Sequence, residues 1–314
     1  MTRIAVVGLG LIGGSLALAA RRAGHGVLAW DADARTRDEA AGRGLTISTD
    51  LSSAELIVLA APIPALTDGL QALLASVQLP DSATITDVGS VKQPVVAAMR
   101  ATGLNERFIG GHPMAGTERS GFPAATADLF TGARWALCLH EDSSDSQLGR
   151  WLEVAAVLTG LGVDVLALTP AEHDTALAMV SGVPHLLALA LAASTQHYGP
   201  LARALAAGSF TDLTRVAGTD PTLLRSVTLR NEPAVRAALR LVVEQLDRPW
   251  EELIEAGRAA REFLSSTVIA DRLASAEVSV LGAGHLLELC RGGAVIETVD
   301  LDAGLIGYRS PAAP

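Results

Sequence analysis

Cysteine is scarce: 314 residues hold only Cys138 and Cys290, which excludes a disulfide framework, and no Cys/His spacing resembles a zinc site. Positive charge is also short. Lys and Arg number 24 against 34 Asp and Glu, and a net charge of −10 excludes nonspecific nucleic-acid binding, which needs a basic face to neutralise phosphates. A local basic patch for a small anion remains compatible with that balance. Internal repeats and low-complexity tracts are lacking. The first strand pattern begins by Arg3, leaving no room for the charged and apolar regions of a signal peptide, so a reducing, cytoplasmic setting is expected. One stretch, residues 176–193, is apolar enough to suggest a membrane span. It contains Ser181, Gly182, Pro184 and His185 and follows Glu172, His173 and Asp174, intrusions that favour a buried helix.

What is present points to a large folded chain. With 49% hydrophobic and 18% charged residues the composition lies far from the disordered regime, and the length suggests two domains. Apolar runs bounded by turn signals recur at residues 27–30, 55–60, 83–88, 107–110, 134–140 and 163–168, with helical patterns at 64–77, 91–100 and 146–160 between them. That alternation predicts a largely parallel sheet covered on both faces, an α/β domain over residues 1–168. From Thr169, a candidate N-cap followed by Pro170, apolar residues recur at helical spacing, which predicts an all-α domain over 169–275. Residues 276–314 read as a C-terminal tail with some strand character.

The opening segment carries the most chemistry. An apolar strand is followed by Gly8-x-Gly10-x-x-Gly13 and a helical run through Leu11 and Ile12, the arrangement of a dinucleotide-binding turn. Gly8 permits the tight turn, Gly10 lets backbone approach a pyrophosphate, and Gly13 lets helix and strand pack closely. The helix N-terminus supplies unpaired N–H groups and a positive dipole end. Asp31, 18 residues after Gly13 at the end of the next apolar run, suits the ribose hydroxyls and favours NAD over NADP. Arg35 and Arg37 read either as solvated charges on the next helix or as groups able to swing toward a 2′-phosphate.

Three further clusters fall where ligands of an open parallel sheet bind. In Thr86-Asp87-Val88-Gly89-Ser90-Val91-Lys92, Ser90 could cap a helix starting at Val91 or touch a substrate, and Asp87 and Lys92 could equally form a structural charge pair. In the segment 110–121, Pro113 biases His112 toward an extended conformation, so the imidazole is expected on a loop after a strand, a good place for a base; Gly116, Thr117 and Glu118 follow. In the helical half, Ser181 and His185 lie among apolar residues, where a histidine bonded to a backbone carbonyl is a common outcome. Asp212 and Arg215 could form an i, i+3 ion pair, and Asp220-Pro221 reads as a cap with Pro at the first helical position.

Taken in order, VVGLGLIGGSLALA, DVGSVK, GGHPMAGTE, EHD followed by PH, and FTDLTRVAGTDP resemble the prephenate dehydrogenase family, which includes the arogenate and cyclohexadienyl dehydrogenases of tyrosine biosynthesis. The resemblance spans residues 3–275. It implies that His112 is the catalytic base and that Ser90 acts near the same substrate hydroxyl. It further implies that His185, with Ser181, Gly116 and Thr117, lines the substrate site, that Arg215 binds a substrate carboxylate, and that Glu118 and Asp212 are gate residues. Gly182 stands where relatives often have His, which implies one polar contact fewer at the substrate's side-chain end.

The implied reaction is NAD-dependent oxidative decarboxylation of prephenate, with arogenate or an amino-substituted analogue as alternative substrates and a non-catalytic NAD-binding regulator as the alternative of another kind. The expected partners are a small-molecule substrate and, through Leu/Ala-rich stretches such as residues 186–193, a second copy in a homodimer, with neither nucleic acid nor membrane. No metal is expected. The tail is shorter than the ACT regulatory domain that some relatives append.

Overall fold

The computed structural model describes residues 1–117, 119–266, 274–277 and 282–311. The chain divides into two compact units, one formed by Met1–Pro170 together with the C-terminal segment from residue 267, the other by Ala171–Ser266.

The first unit opens with β1 (Arg3–Val7), α1 (Leu11–Arg22), β2 (Gly26–Trp30), α2 (Ala34–Gly42), β3 (Thr46–Ile47) and β4 (Leu56–Leu59). Next come α3 (Ile63–Leu66), α4 (Leu70–Ala75), β5 (Thr84–Asp87), α5 (Gln93–Ala101) and β6 (Phe108–Ile109). The single helix expected over 64–77 is therefore two short ones. These six strands form one wholly parallel sheet in the order β3-β2-β1-β4-β5-β6, whose order reverses between β1 and β4. Strands β4 and β5 are buried along their whole length, as parallel strands covered on both faces must be.

The remaining strands build a second sheet, whereas the alternation pattern suggested one. After β7 (Gly111–Pro113), β8 (Arg134–Cys138), α6 (Asp145–Gly160) and β9 (Asp164–Leu168), the chain leaves for the helical unit and returns as β10 (Ala274–Glu277), α14 (Ala283–Arg291), β11 (Val295–Asp300) and β12 (Leu305–Arg309). The order is β10-β12-β11-β9-β8-β7, antiparallel except for β8 with β9. A capping box in which the Ser144 hydroxyl accepts from Gln147 N starts α6. The described residues of this stretch, 276–277 and 282–311, are thus not a tail. Their Leu286, Leu287, Ile296 and Ile306 sit in the same apolar core as Trp135, Trp151 and Phe122, because α14 and β11 cover what β9 would otherwise expose. Residues 278–281, within the stretch read as having some strand character, fall outside the described residues.

The second unit contains α7 (Pro170–Leu177), a π-helical turn (Ala178–Gly182), α8 (Val183–Ser194), α9 (Gly199–Leu205), α10 (Gly208–Thr214), α11 (Pro221–Thr228), α12 (Glu232–Leu246) and α13 (Trp250–Ser266). Its core gathers Ala178, Val183, Val235 and Ala238. The helical run 170–205 is long and apolar enough to cross a membrane by length and composition, yet only 28% of its most apolar window is buried within the chain. The expectation of a buried helix is therefore not met by one copy alone.

Candidate active site

The glycine turn separates fold from ligand space. Gly8 has φ +101°, and a Cβ there would lie 2.4 Å from the Ala60 carbonyl oxygen; one on Gly13 would lie 2.0 Å from the Gly8 oxygen. A Cβ on Gly10 would meet nothing within 4 Å, so the exposed middle of the turn is the place left open for a phosphate group. Gly10 is the N-cap of α1, whose first turn runs through Leu11, Ile12 and Gly13. Asp31 directly follows β2 beside this turn: its Oδ2 accepts from Leu9 N at 2.6 Å and its Oδ1 from Asp33 N at 2.9 Å. Arg35 pairs with Glu39, and Arg37 donates to the carbonyls of Asp31 and Ala32, so both cations are engaged locally. An open glycine, a helix N-terminus and a fixed carboxylate fit NAD.

Ser90 follows β5 and is half-buried. It does not cap the next helix, since α5 begins at Gln93 with Lys92 at the N-cap. Asp87 and Lys92 form a fully buried ion pair, Nζ to Oδ2 2.5 Å. The Asp87 carboxylate also accepts from Gly89 N (2.8 Å) and Gly111 N (3.0 Å), and Lys92 Nζ donates to the Gly111 carbonyl (2.6 Å). The sequence left open what this pair does; its hold on Gly111 was not foreseen.

His112 lies within β7, half-buried and paired with Ala136, so the expected loop position is corrected: three residues after the turn at Gly110 are already strand. Gly111 makes that path possible, because a Cβ there would lie 2.6 Å from the Asp87 carbonyl oxygen. Gly116 and Thr117 follow in an exposed loop, where Thr117 Oγ1 accepts from Arg119 N. Glu118 lies outside the described residues. Volume is a poor guide to this unit's chemistry: a cleft of about 670 Å³, lined by Arg3, Glu55, Thr84 and Arg150, opens at the amino ends of β1, β4 and β5, opposite the glycine turn.

In the helical unit, the half-buried His185 ring is fixed by two bonds. Nδ1 donates to the Ser181 carbonyl at 2.8 Å, and Nε2 lies 3.3 Å from Thr219 Oγ1. The π-helical turn ends beside this carbonyl, at Gly182. Gly182 is buried, and a Cβ there would lie 2.7 Å from Val235 Cγ2 and 3.3 Å from the Val227 oxygen. The position therefore faces α12, and Val235 packs closely against it. His173 and Asp174 are buried and bonded to each other (2.8 Å), with Asn231 Nδ2 donating to the Asp174 carbonyl. Arg215 and Asp212 are both exposed and, among the described residues, form no ion pair with each other. Asp220 caps α11 through Thr222 N and Leu223 N, with Pro221 at the first helical position.

Comparison with known proteins bears on both units. The family described as "Prephenate dehydrogenase, nucleotide-binding domain" matches residues 16–167, and "Prephenate dehydrogenase, dimerization domain" matches 169–265. A prephenate dehydrogenase of Lactococcus lactis is 37% identical over 243 residues, 74% of this chain; the match spans 65% of that protein's length. Among solved structures, Synechocystis arogenate dehydrogenase is similar at TM-score 0.72 and 33% identity, covering 85% of this chain and all of that one. Prephenate dehydrogenase from Aquifex aeolicus, in complex with hydroxyphenyl propionate and NAD+, is similar at TM-score 0.70 and 29% identity, covering 84% of this chain and 95% of that one.

Proposed function

Because the chain belongs to the prephenate dehydrogenase family, we propose that it catalyses the NAD-dependent oxidative decarboxylation of prephenate to 4-hydroxyphenylpyruvate. The observation that carries this reading is the delivery of His112, on β7, next to Gly111, which packs against the carboxyl end of β5 in the dinucleotide-binding sheet.

Prephenate holds a ring hydroxyl at one end of a cyclohexadiene and a carboxylate at the other. Oxidation of the hydroxyl-bearing carbon gives a carbonyl conjugated to the carbon that loses carbon dioxide, and aromatisation makes the step irreversible. NAD, when bound at the Gly8–Gly13 turn and Asp31, supplies the hydride acceptor. His112 takes the hydroxyl proton, a role suited to an imidazole and worth about 10²–10⁴-fold. Ser90 orients the same hydroxyl. Arg215 grips a carboxylate through its planar two-bond fork, and His185, with its tautomer set by the Ser181 carbonyl, offers a second polar contact; Ser181, Gly116 and Thr117 are also assigned to substrate binding. Glu118 and Asp212 are assigned to the gate.

The working unit of this reading is a cytoplasmic homodimer. The dimerization-domain match supports it, as do apolar side chains left exposed on the helical unit by one copy, among them Val180, Leu201, Leu205 and Trp250. Arogenate is the second reading, favoured by the Synechocystis likeness. The deciding assay mixes purified protein with NAD and, separately, prephenate and L-arogenate while following reduced nicotinamide. Turnover of prephenate supports the proposal, turnover of arogenate alone replaces it, and NAD binding without turnover of either moves the reading to a regulator.

A further inference from the structure

The chain contains a single lysine, Lys92, among 24 basic residues. Every other strong cation is an arginine, and many of those, such as Arg3, Arg22, Arg35 and Arg236, make exposed ion pairs. Lys92 is fully buried against a fully buried Asp87. An ammonium is a compact charge on a flexible stem, whereas a guanidinium is a wide planar fork, so this enclosed position calls for the one cation the rest of the chain avoids.

The partners of the pair show what it does. Cys138 N donates to the Gly110 carbonyl and Met114 N donates to the Arg134 carbonyl, so residues 110 and 114 turn their polar groups toward β8. Alternation along an antiparallel strand then turns the N–H and C=O of Gly111 away from β8, off the free edge of the second sheet. Asp87 accepts from that N–H and Lys92 donates to that C=O. One carboxylate and one ammonium thus take the place of a neighbouring strand. The same carboxylate accepts from Gly89 N, one residue before Ser90, while Gly111 is one residue before His112. The space between is closed: a Cβ on Gly111 would overlap the Asp87 carbonyl oxygen, and one on Gly89 would lie 2.7 Å from Asp87 Oδ2.

We propose that Asp87 and Lys92 are positioning residues that join the two sheets at this seam and set His112, carried by the second sheet, relative to Ser90 and the cofactor crevice, carried by the first. Burying a charge pair commonly adds little stability over apolar residues of similar shape, so its consequence is geometric. The inference rests on the reading of His112 as the base. Neither side chain touches substrate, and both act through backbone.

The test begins on the parent protein. Labelling with ¹⁵Nζ-lysine gives one ammonium signal, expected to exchange slowly with solvent, and the Gly111 amide is expected to be protected; rapid exchange at both overturns the proposal. In the double variant Asp87→Asn/Lys92→Met, which leaves no unpaired charge, the expected result is unchanged NAD affinity and KM, a kcat lower by at least about 30-fold, and faster exchange confined to residues 110–112. A folded double variant with parental kcat overturns it, as does loss of NAD affinity in step with kcat, which would mark a general structural role. If the parent turns over neither prephenate nor arogenate, the functional reading fails; the exchange measurements then still decide whether the seam is built as described.

Discussion

Replacing the three glycines of the first turn one at a time with alanine separates what the fold needs from what the ligand needs. Gly8→Ala places a β-carbon 2.4 Å from the Ala60 carbonyl oxygen on a backbone with φ +101°. Ala60 yields little, since its own N–H is bonded to the Val7 carbonyl at 2.7 Å. Left-handed backbone strain of about 1–3 kcal/mol and overpacking of about 1–3 kcal/mol sum to roughly 2–6 kcal/mol, a drop of about 5–20 °C in the melting temperature of a unit this size. Gly13→Ala, 2.0 Å from the Gly8 oxygen, costs about 1–3 kcal/mol from overpacking alone. Gly10→Ala meets no atom within 4 Å, and its φ of −67° suits any residue, so stability should change by no more than about 0.5 kcal/mol. Its methyl group does block close approach of a pyrophosphate. Losing one charge-assisted hydrogen bond of about 1.5–3 kcal/mol weakens NAD binding about 10- to 150-fold. Thermal unfolding without cofactor and calorimetric titration with NAD measure the two effects separately. Parental NAD affinity in Gly10→Ala would refute the reasoning, and so would a melting temperature as low as that of Gly8→Ala.

His112→Asn should keep NAD affinity while kcat falls at least about 10²-fold; near-normal turnover would remove His112 as the base. Leu287→Ala, in the core contributed by the C-terminal segment, should cost about 2–5 kcal/mol in denaturant unfolding, and a cost near zero would detach that segment from the core. Burial pushes the Cys290 thiol up to about 11 from 9.0, so alkylation at neutral pH should be far slower than for a free thiol. The folded form favours the protonated thiol, so this group's contribution to stability is complete below pH 9 and declines as pH rises toward 11; a rise in stability over that range would contradict the burial.

The dinucleotide turn was legible in the sequence because its parts are local: strand, glycines, helix and carboxylate lie within residues 3–31, and each residue type is demanded by its immediate neighbours. The second sheet was not. Only Gly110 separates β6 from β7, and hydrophobic periodicity does not say which strand a run will pair with. Pairings such as Ile296 with Val165 span a whole helical unit and leave no local mark. The tight packing of Gly182 against Val235 was hidden for a related reason: its partner lies on α12, and no local pattern marks it. The seam at Gly111 had a signal that periodicity could not reveal, one lysine in a chain of arginines.

That the first unit is made from two stretches of chain has a consequence in time. A ribosome adding about 5–20 residues per second spends roughly 5–20 s on the hundred or so residues of the helical unit before the partners of β9 are made. Throughout that interval the nascent protein has its cofactor turn and both glycine-bound seam residues but an open strand edge and a half-covered core. Maturation of this unit therefore waits for the synthesis of α14, β11 and β12, and the vulnerable species before then is a dinucleotide-binding domain that still lacks them.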